Sequence, residues 1–418
     1  MAMLAYLKSS SIAAVWFVFL TFPLMVVKVN TLKNTVEWRW MNMLWVAIGA
    51  FILSAVWRWA MLRRIKGASK QEQEQAEAGK RTSLGQRLLE DPKLNRPVIG
   101  VVIILALLMP WVSEMYQVTI WVFALIYVVL GLGLNITVGL AGLLDLGYVA
   151  FFGVGAYTYA ILNTRFDLDF WICLPIGGLT GALVGVLLGF PILRLRGDYL
   201  AIVTLGFGSI AKIVYENWEE VFNGARGIEK IARPGFFGME MDISAATTFT
   251  YYLMLLMVVF TIFVTNRLKD SRIGRAWMAL REDEIACVAM GVDMAKTKLS
   301  AYALGAFWAG LVGVIFASQT TYINPASFDF MLSAIVLSMV VLGGMGSIVG
   351  VVIAALVLNL LPEYLRAFED YRMLVFGAVM VLMMLFRPQG LVANVRKTYT
   401  HRKVRAEETN GRECAEAA

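Results

Sequence analysis

Long apolar runs, separated by short polar segments, recur along most of the chain. Several runs approach the ~20 apolar residues that cross a bilayer, and a lipid-facing segment must satisfy its own backbone hydrogen bonds. We therefore predict an all-α polytopic membrane protein with about 12 transmembrane helices. The predicted spans are residues 11–29, 41–60, 97–112, 117–138, 146–163, 171–193, 198–214, 249–266, 299–317, 328–345, 347–362 and 371–386.

The polar segments divide the chain into four parts. Residues 1–60 hold two predicted spans, and the first of them, Ser11–Val29, lacks the small-residue cleavage site of a signal peptide, so we expect a retained helix. Residues 61–96 are rich in Gln, Glu and Lys, which predicts a charged linker. Ten predicted spans lie in 97–391, which we interpret as the working core, and 392–418 form a basic tail.

Composition and charge support a membrane protein and give it an orientation. Hydrophobic residues make up 59% of the chain and charged residues 16%, with a mean hydropathy of +0.69. Of the 37 Lys and Arg residues, 27 lie on one predicted face. The positive-inside rule makes that face cytoplasmic, which places 61–96, 267–298 and both termini there and 215–248 outside. Orientation thus explains the net charge of +7 without a nucleic-acid partner.

Residue types needed for several kinds of chemistry are scarce. Cys173, Cys287 and Cys414 show no metal or redox spacing, and the single histidine, His401, lies in the basic tail. These residues argue against a zinc site and against a Ser–His–Asp enzyme in the membrane. The chain also lacks the G-x-x-x-x-G-K-[ST] phosphate loop. We therefore expect no ATP hydrolysis by this chain and no cofactor or metal bound to it.

Two glycine-rich interruptions fall in the two halves of the ten-span core. Close helix packing explains most of these glycines, but paired interruptions in corresponding halves also indicate a central transport pathway. Asp145 and Asp198 are predicted helix N-caps near the first interruption and at the start of a later span. The candidate pathway residues lie in 131–157 and Gly343–Gly350: Asn135, Thr137, Gly139, Gly142, Gly343, Gly344 and Gly346.

Residues 267–298 form the most distinctive polar segment. Ile273, Trp277 and Leu280 recur at helical spacing, and the acids that follow Arg281 suit the start of a second short helix. Gly291 can end that helix in the left-handed conformation, and Asp293 can cap the next span.

The apolar face of the second helix consists of Ile285, Ala286, Ala289 and Met290. An ordinary helix on lipid headgroups is one interpretation of this segment. Its compact acidic cluster would be repelled by anionic lipid, and therefore favours a protein partner.

The sequence of Gly274–Asp293, GRAWMALREDEIACVAMGVD, resembles the coupling segment of the LivM-type permeases of ABC importers for branched-chain amino acids. Similar motifs follow in order over 100–391, including GLNITVGLAGLLDLGYVAFFGVGAY, RLRGDYLAIVTLGFGSI, KLSAYALGAFWAGLVGVIFA, GGMGSIVG and RPQGL. Residues 1–96 resemble the extra N-terminal unit of that family. One departure lies in the outer loop, where Phe222–Ile228 keeps only the end of the family's Thr-Gly-Gly-x-x-Gly-Ile.

The resemblance implies a ten-helix type II ABC-importer permease core, preceded by two N-terminal helices, in a bacterial inner membrane. It implies a second permease of related fold, two cytoplasmic ATPase subunits that hold ATP and Mg, and a periplasmic amino-acid-binding protein. The residues expected to couple to the ATPase are Gly274, Arg275, Ala279, Arg281, Glu282, Asp283, Ala286 and Gly291. The alternative is an ion-gradient-driven secondary transporter, which would keep acids or paired charges inside its spans. Asp145 and Glu114 lie near span ends instead.

Overall fold

The computed structural model divides the chain into two compact units, residues 1–101 and 102–418. The backbone is described for 27–30 and 35–38 in the first unit. In the second unit the described residues are 106–192, 195, 197–235, 242–364, 377–378, 381 and 390–391. The predicted linker 61–96, the span 41–60 and the tail 392–418 lie outside the described residues.

The described part of the first unit is an antiparallel hairpin of β1 (Val27–Asn30) and β2 (Thr35–Trp38). Val27 lies opposite Trp38, and Asn30 lies opposite Thr35. The predicted helix 11–29 was therefore wrong at its last three residues, and the all-α prediction does not hold for this hairpin. Both strands alternate apolar and polar residues and contain β-branched valines, a pattern that favours a strand over a helix.

The second unit is helical over its described residues. Its helices, numbered along the chain, are α1 (106–112), α2 (Met115–Leu134), α3 (Tyr148–Phe166), α4 (Phe170–Ile192), α5 (Asp198–Asn217), α6 (Glu219–Phe222), α7 (Ile243–Asp270), α8 (Arg272–Glu282), α9 (Glu284–Ala289), α10 (Met294–Thr320), α11 (Phe330–Gly343) and α12 (Ile348–Tyr364). A π-helix, Asn135–Leu140, continues α2, and 3₁₀ turns lie at Gly224–Arg226 and Pro325–Phe328.

The predicted spans between residues 117 and 362 each coincide with one helix of this unit. Six segments of the described chain are long and apolar enough to cross a membrane: Met115–Leu140, Phe170–Pro191, Asp198–Asn217, Ile243–Asp270, Met294–Thr320 and Pro325–Gly343. A shorter apolar helix covers Ile348–Glu363. The predicted spans 97–112 and 371–386 lie largely outside the described residues.

The helix α10 lies at the centre of the unit and packs against α2, α3 and α4. Glycines let these backbones meet, because a Cβ on Gly310 would collide with the carbonyl oxygen of Gly177 in α4. A Cβ on Gly155 in α3 would collide in turn with the carbonyl oxygen of Gly310. Small residues at helix contacts are how membrane helices approach closely, so this three-helix contact confirms the packing interpretation for Gly155 and extends it to Gly177 and Gly310.

The connecting segments of this unit gather at two ends. At one end the Nζ atom of Lys298 lies 3.5 Å from the carbonyl oxygen of Leu195. At the other, Ile228 and Ile323 exchange backbone hydrogen bonds of 3.0 and 3.1 Å, and the Ala232 amide donates to Asn163 Oδ1 over 2.8 Å. The segments that were assigned to the same membrane face thus meet at the same end, in agreement with the predicted alternation of the loops.

Two predicted helix caps were wrong. The N-cap of α5 is Gly197, whose φ of 56° favours glycine, and Asp198 is the first helical residue. Its carboxylate still lies in the first turn, where it complements the helix dipole. The N-cap of α3 is Gly147, and Asp145 Oδ1 accepts a 2.9 Å hydrogen bond from the Gly147 amide. Asp145 therefore stabilises the turn before α3 rather than a helical amide.

We predict that Gly310→Ala lowers the thermal stability of the purified chain, because the added methyl overpacks the contact of α10 with α4. The expected loss is about 1–3 kcal/mol. The matched control is Gly206→Ala in α5, where a Cβ would have no neighbour within 4 Å. That change should raise stability by about 0.5–1 kcal/mol, since alanine favours a helix over glycine. Equal unfolding temperatures for the two variants in detergent would refute the close-packing account.

Candidate coupling site

The helices α8 and α9 form a short helical pair at one end of the bundle. Ser271 Oγ caps α8 by accepting from the Gly274 amide over 3.1 Å. Trp277 and Leu280 are buried, and Trp277 Nε1 donates to the Thr297 carbonyl over 3.1 Å. The α8 helix is therefore fastened to the first turn of α10. Ile273, predicted on the same face, is exposed.

The predicted turn chemistry between the helices is confirmed. Asp283 Oδ1 accepts from the Ile285 and Ala286 amides over 2.8 and 3.0 Å and so caps α9. Gly291 follows α9 with a φ of 80°, and Asp293 Oδ1 accepts from the Lys296 amide over 3.2 Å to cap α10. The hydrogen bonds from Lys296 lower the pKa of the Asp293 carboxyl.

The apolar face of α9 points away from the bundle. Ile285 is 70% exposed and Met290, just after the helix, is 83% exposed, and Val288 is exposed as well. Cys287 is the buried residue of this helix. An exposed segment that displays apolar side chains beside acids is typical of a docking surface for another protein.

A buried ion pair holds α9 to α10. Lys298 Nζ lies 2.9 Å from Glu284 Oε1, with side-chain exposures of 1% for Lys298 and 20% for Glu284. The same ammonium lies 3.5 Å from the Leu195 carbonyl oxygen, in the connection between α4 and α5. Sequence reasoning missed this pair, because the two residues fall in different predicted elements and nothing local relates them.

The two glycine-rich interruptions meet at the same end as α8 and α9. The first is the π-helix Asn135–Leu140, and the second lies between α11 and α12. Asn135 Oδ1 accepts from the Gly346 amide over 2.8 Å. Gly139 packs on the same two residues, since a Cβ there would collide with Asn135 Oδ1. The predicted interruptions are thus joined directly to each other.

The second interruption needs glycine for its backbone. Gly344 and Gly346 have φ values of 102° and 84°, in the region that side chains avoid. Gly343 packs directly on the backbone of Gly350 across the turn between α11 and α12. The Leu391 amide also donates to the Leu342 carbonyl over 2.8 Å, which brings the end of the core to this turn.

The cations of the coupling segment contact both interruptions. Arg281 Nη1 donates to the Gly139 carbonyl over 2.6 Å, and the stem of Arg281 packs on Gly142, whose φ is 73°. Lys269 Nζ lies 3.5 Å from the Gly346 carbonyl oxygen. The structure therefore places the Arg281 guanidinium against the first interruption, while the residue as a whole is exposed. Its predicted contact with the ATPase stays a prediction. No sequence pattern identified Lys269.

The remaining predicted site residues divide by exposure. Arg275, Ala279, Glu282, Asp283 and Ala286 are exposed on α8 and α9, and Arg275 Nη1 donates to the Asp270 carbonyl over 2.7 Å. Gly274 is buried, and it packs so closely that a Cβ there would collide with the Leu268 carbonyl.

Asn135 and Thr137 are also buried, and Thr137 Oγ1 donates to the Leu134 carbonyl over 2.9 Å. Their predicted role in a pathway stays a prediction, since these side chains lie inside the helix packing.

Comparison with known proteins places this arrangement in a family. Residues 116–384 match the family model described as the permease component of branched-chain amino acid transport systems. The chain belongs to this family. The match spans the described helices from α2 to α12 and includes the helical pair and both interruptions. No solved structure is a significant match to the chain.

Individual relatives agree with the family match. The high-affinity branched-chain amino acid transport system permease protein LivM of Escherichia coli K12 is 47% identical over 343 residues, which cover 75% of this chain and 81% of that protein. The permease protein LivH of Salmonella typhimurium is 23% identical over 288 residues, 64% of this chain and 91% of that protein. The probable LivM of Methanocaldococcus jannaschii is 22% identical over 296 residues, with coverages of 63% and 84%.

We predict that Lys298→Met destabilises this permease, because the Glu284 carboxylate loses its cation in a largely buried position. The expected loss is about 2–3 kcal/mol, below the value for a fully buried pair because Glu284 is partly exposed. Lys296→Met is the matched control, since Lys296 pairs with Asp293 over 3.2 Å with a side chain 87% exposed. Thermal unfolding in detergent should detect the first change and not the second. Equal effects would show that burial of the Lys298 pair does not matter.

Proposed function

We propose that the chain is a transmembrane permease subunit of an ATP-driven ABC importer for branched-chain amino acids, with Leu, Ile and Val as substrates. The family match over residues 116–384 and the 47% identity to the LivM permease of Escherichia coli support this proposal. The chain would form half of the translocation pathway. Specificity for one amino acid would reside mainly in a soluble binding protein.

The proposed assembly contains a second permease of related fold, two cytoplasmic ATPase subunits and a periplasmic amino-acid-binding protein. Similarity to both LivM and LivH relatives supports two related permeases. ATP and Mg would bind to the ATPase subunits. The concentration of Lys and Arg on one predicted face supports twelve crossings of a bacterial inner membrane, with both termini in the cytoplasm.

The proposal of an ATPase partner rests on the exposed apolar side of α9. Ile285, Val288 and Met290 project from the end of the bundle and would insert into a groove on the ATPase. Glu282 and Arg275 would provide charged contacts at the rim, where charge steers association more than it adds affinity. Asp283 would act differently, because its carboxylate is already used to cap α9.

Movement of the ATPase would then reach the membrane helices through two connections. Trp277 and the Lys298–Glu284 pair join α8 and α9 to α10, the central helix of the bundle. Arg281 joins α8 to the first interruption at Gly139. Closure of the ATPase subunits would move the helical pair as a rigid body and change the helix ends around it.

The interruptions would form the inner gate of the pathway. Asn135 holds Gly346 in the described state, so the solute would reach this region only after the two interruptions separate. In this proposal Thr137, Gly139, Gly142, Gly343, Gly344 and Gly346 supply close packing and special backbone conformations in the closed state. Their role would be to allow the movement rather than to recognise the amino acid.

We predict that Ile285→Arg removes the ATPase subunits from the purified complex, because a charge would replace an apolar anchor. The stability of the isolated chain should not change, since Ile285 is 70% exposed. Tyr322→Arg, an exposed substitution at the opposite end of the bundle, should leave the ATPase bound.

Affinity purification followed by quantification of the subunits measures both variants. An unchanged ATPase ratio with Ile285→Arg would contradict docking at α9. Leucine uptake that continues without ATP would favour an ion-gradient-driven transporter.

A further inference from the structure

The helix α5 carries a polar strip on an otherwise apolar exposed surface. It is the least buried of the six candidate spans. Ser209, Lys212 and Glu216 recur at helical spacing and are exposed or half-buried, so they share one side of the helix. Ile210 and Ile213 beside them are exposed and apolar. The strip begins near the end of α5 at which Ile228 and Ile323 pair.

An ion pair connects this strip to the start of α11. Lys212 Nζ lies 3.2 Å from Asp329 Oδ1, and Asp329 is the N-cap of α11. The side chains are 30% and 52% exposed, so both charges remain partly open to the surroundings. Neither residue takes part in the coupling site, and sequence reasoning missed Lys212 because it lies within the apolar run of its span.

Lipid is an unfavourable neighbour for this pair. Lys212 lies five residues before Asn217, the last residue of α5, which places it about 7.5 Å along the helix axis from that end. A charged pair within the apolar length of a candidate span is costly against acyl chains, and charges inside membrane proteins face water-filled cavities or other charges. Because α5 and Asp329 are open on this side, the pair fits the wall of an aqueous entrance.

We propose that Lys212 and Asp329 form a contact site for the zwitterionic head of the transported amino acid. The Lys212 ammonium would bind the α-carboxylate, and the Asp329 carboxylate would bind the α-ammonium. The single ion pair between Lys212 and Asp329 would thus be replaced by two ion pairs with the solute. The aliphatic side chain of the solute would lie on Ile213 or Met331, which are exposed nearby on α5 and α11. This inference rests on the proposed function and names a recognition point within it.

A purely structural role is the alternative, in which the pair only fastens α5 to α11. A fastening pair needs no exposure to water and no full positive charge, since a neutral hydrogen bond would also connect the helices. A contact site for a carboxylate needs both. These requirements can be separated by one transport experiment and one labelling experiment.

The transport experiment uses the complete complex in proteoliposomes and measures leucine moved per ATP hydrolysed. Lys212→Gln, Lys212→Met and Asp329→Asn should lower this ratio about tenfold or more, as expected for loss of a charged hydrogen bond. Lys212→Arg, which keeps the charge, should remain close to the parent. Lys296→Met removes an ion pair of the same 3.2 Å length at an exposed position and should have no effect.

The labelling experiment introduces Lys212→Cys into a chain whose three cysteines are replaced by serine, and treats intact proteoliposomes with a membrane-impermeant thiol reagent. Leu256→Cys, at an exposed apolar position within α7, is the control. We expect Lys212→Cys to react and the control to remain unmodified.

The inference is overturned if Lys212→Cys is unreactive, or if Lys212→Gln transports as well as the parent. The proposed function fails separately, if the parent complex itself moves no leucine.

Discussion

The whole arrangement depends on backbone groups that the interrupted helices leave without a helical partner. A membrane protein must satisfy such groups internally, because lipid offers no hydrogen bonds. Here the partners come from the coupling segment and from the other interruption. Arg281 donates to the Gly139 carbonyl, Lys269 lies by the Gly346 carbonyl, and Asn135 accepts from the Gly346 amide. Of these partners Arg281 belongs to α8, so a movement of the helical pair would act on the first interruption through this contact.

The central helix α10 connects the helical pair α8 and α9 to the middle of the bundle. Its first turn receives Trp277 and the buried Lys298–Glu284 pair, and its middle packs on glycines of α3 and α4. Close glycine contacts transmit displacement because they leave no side chain to absorb it. The same helix therefore joins the exposed pair α8 and α9 to the packed interior, as the proposed coupling to an ATPase subunit requires.

Hydropathy predicted the helices from 117 to 362, because the bilayer imposes apolar length on any span. Local chemistry predicted the cap Asp293, the left-handed Gly291 and acids at the start of α9, which depend on neighbours a few residues away. The partners of Arg281 and Lys298 could not be predicted, since they lie in other elements of the fold and are fixed by tertiary packing. The strand Val27–Asn30 was missed because the apolar run before it is long enough for a membrane helix, and the alternation of apolar and polar residues begins only at its end.

The most direct test of this account is the coupling ratio of a reconstituted complex carrying Arg281→Met. Arg272→Met, at the exposed opposite end of α8, is the control. The account predicts that Arg281→Met retains bound ATPase and continues to hydrolyse ATP, but moves far less leucine per ATP than the control. An unchanged ratio of leucine to ATP in Arg281→Met would contradict the central claim that α8 acts on the interrupted helices through this contact.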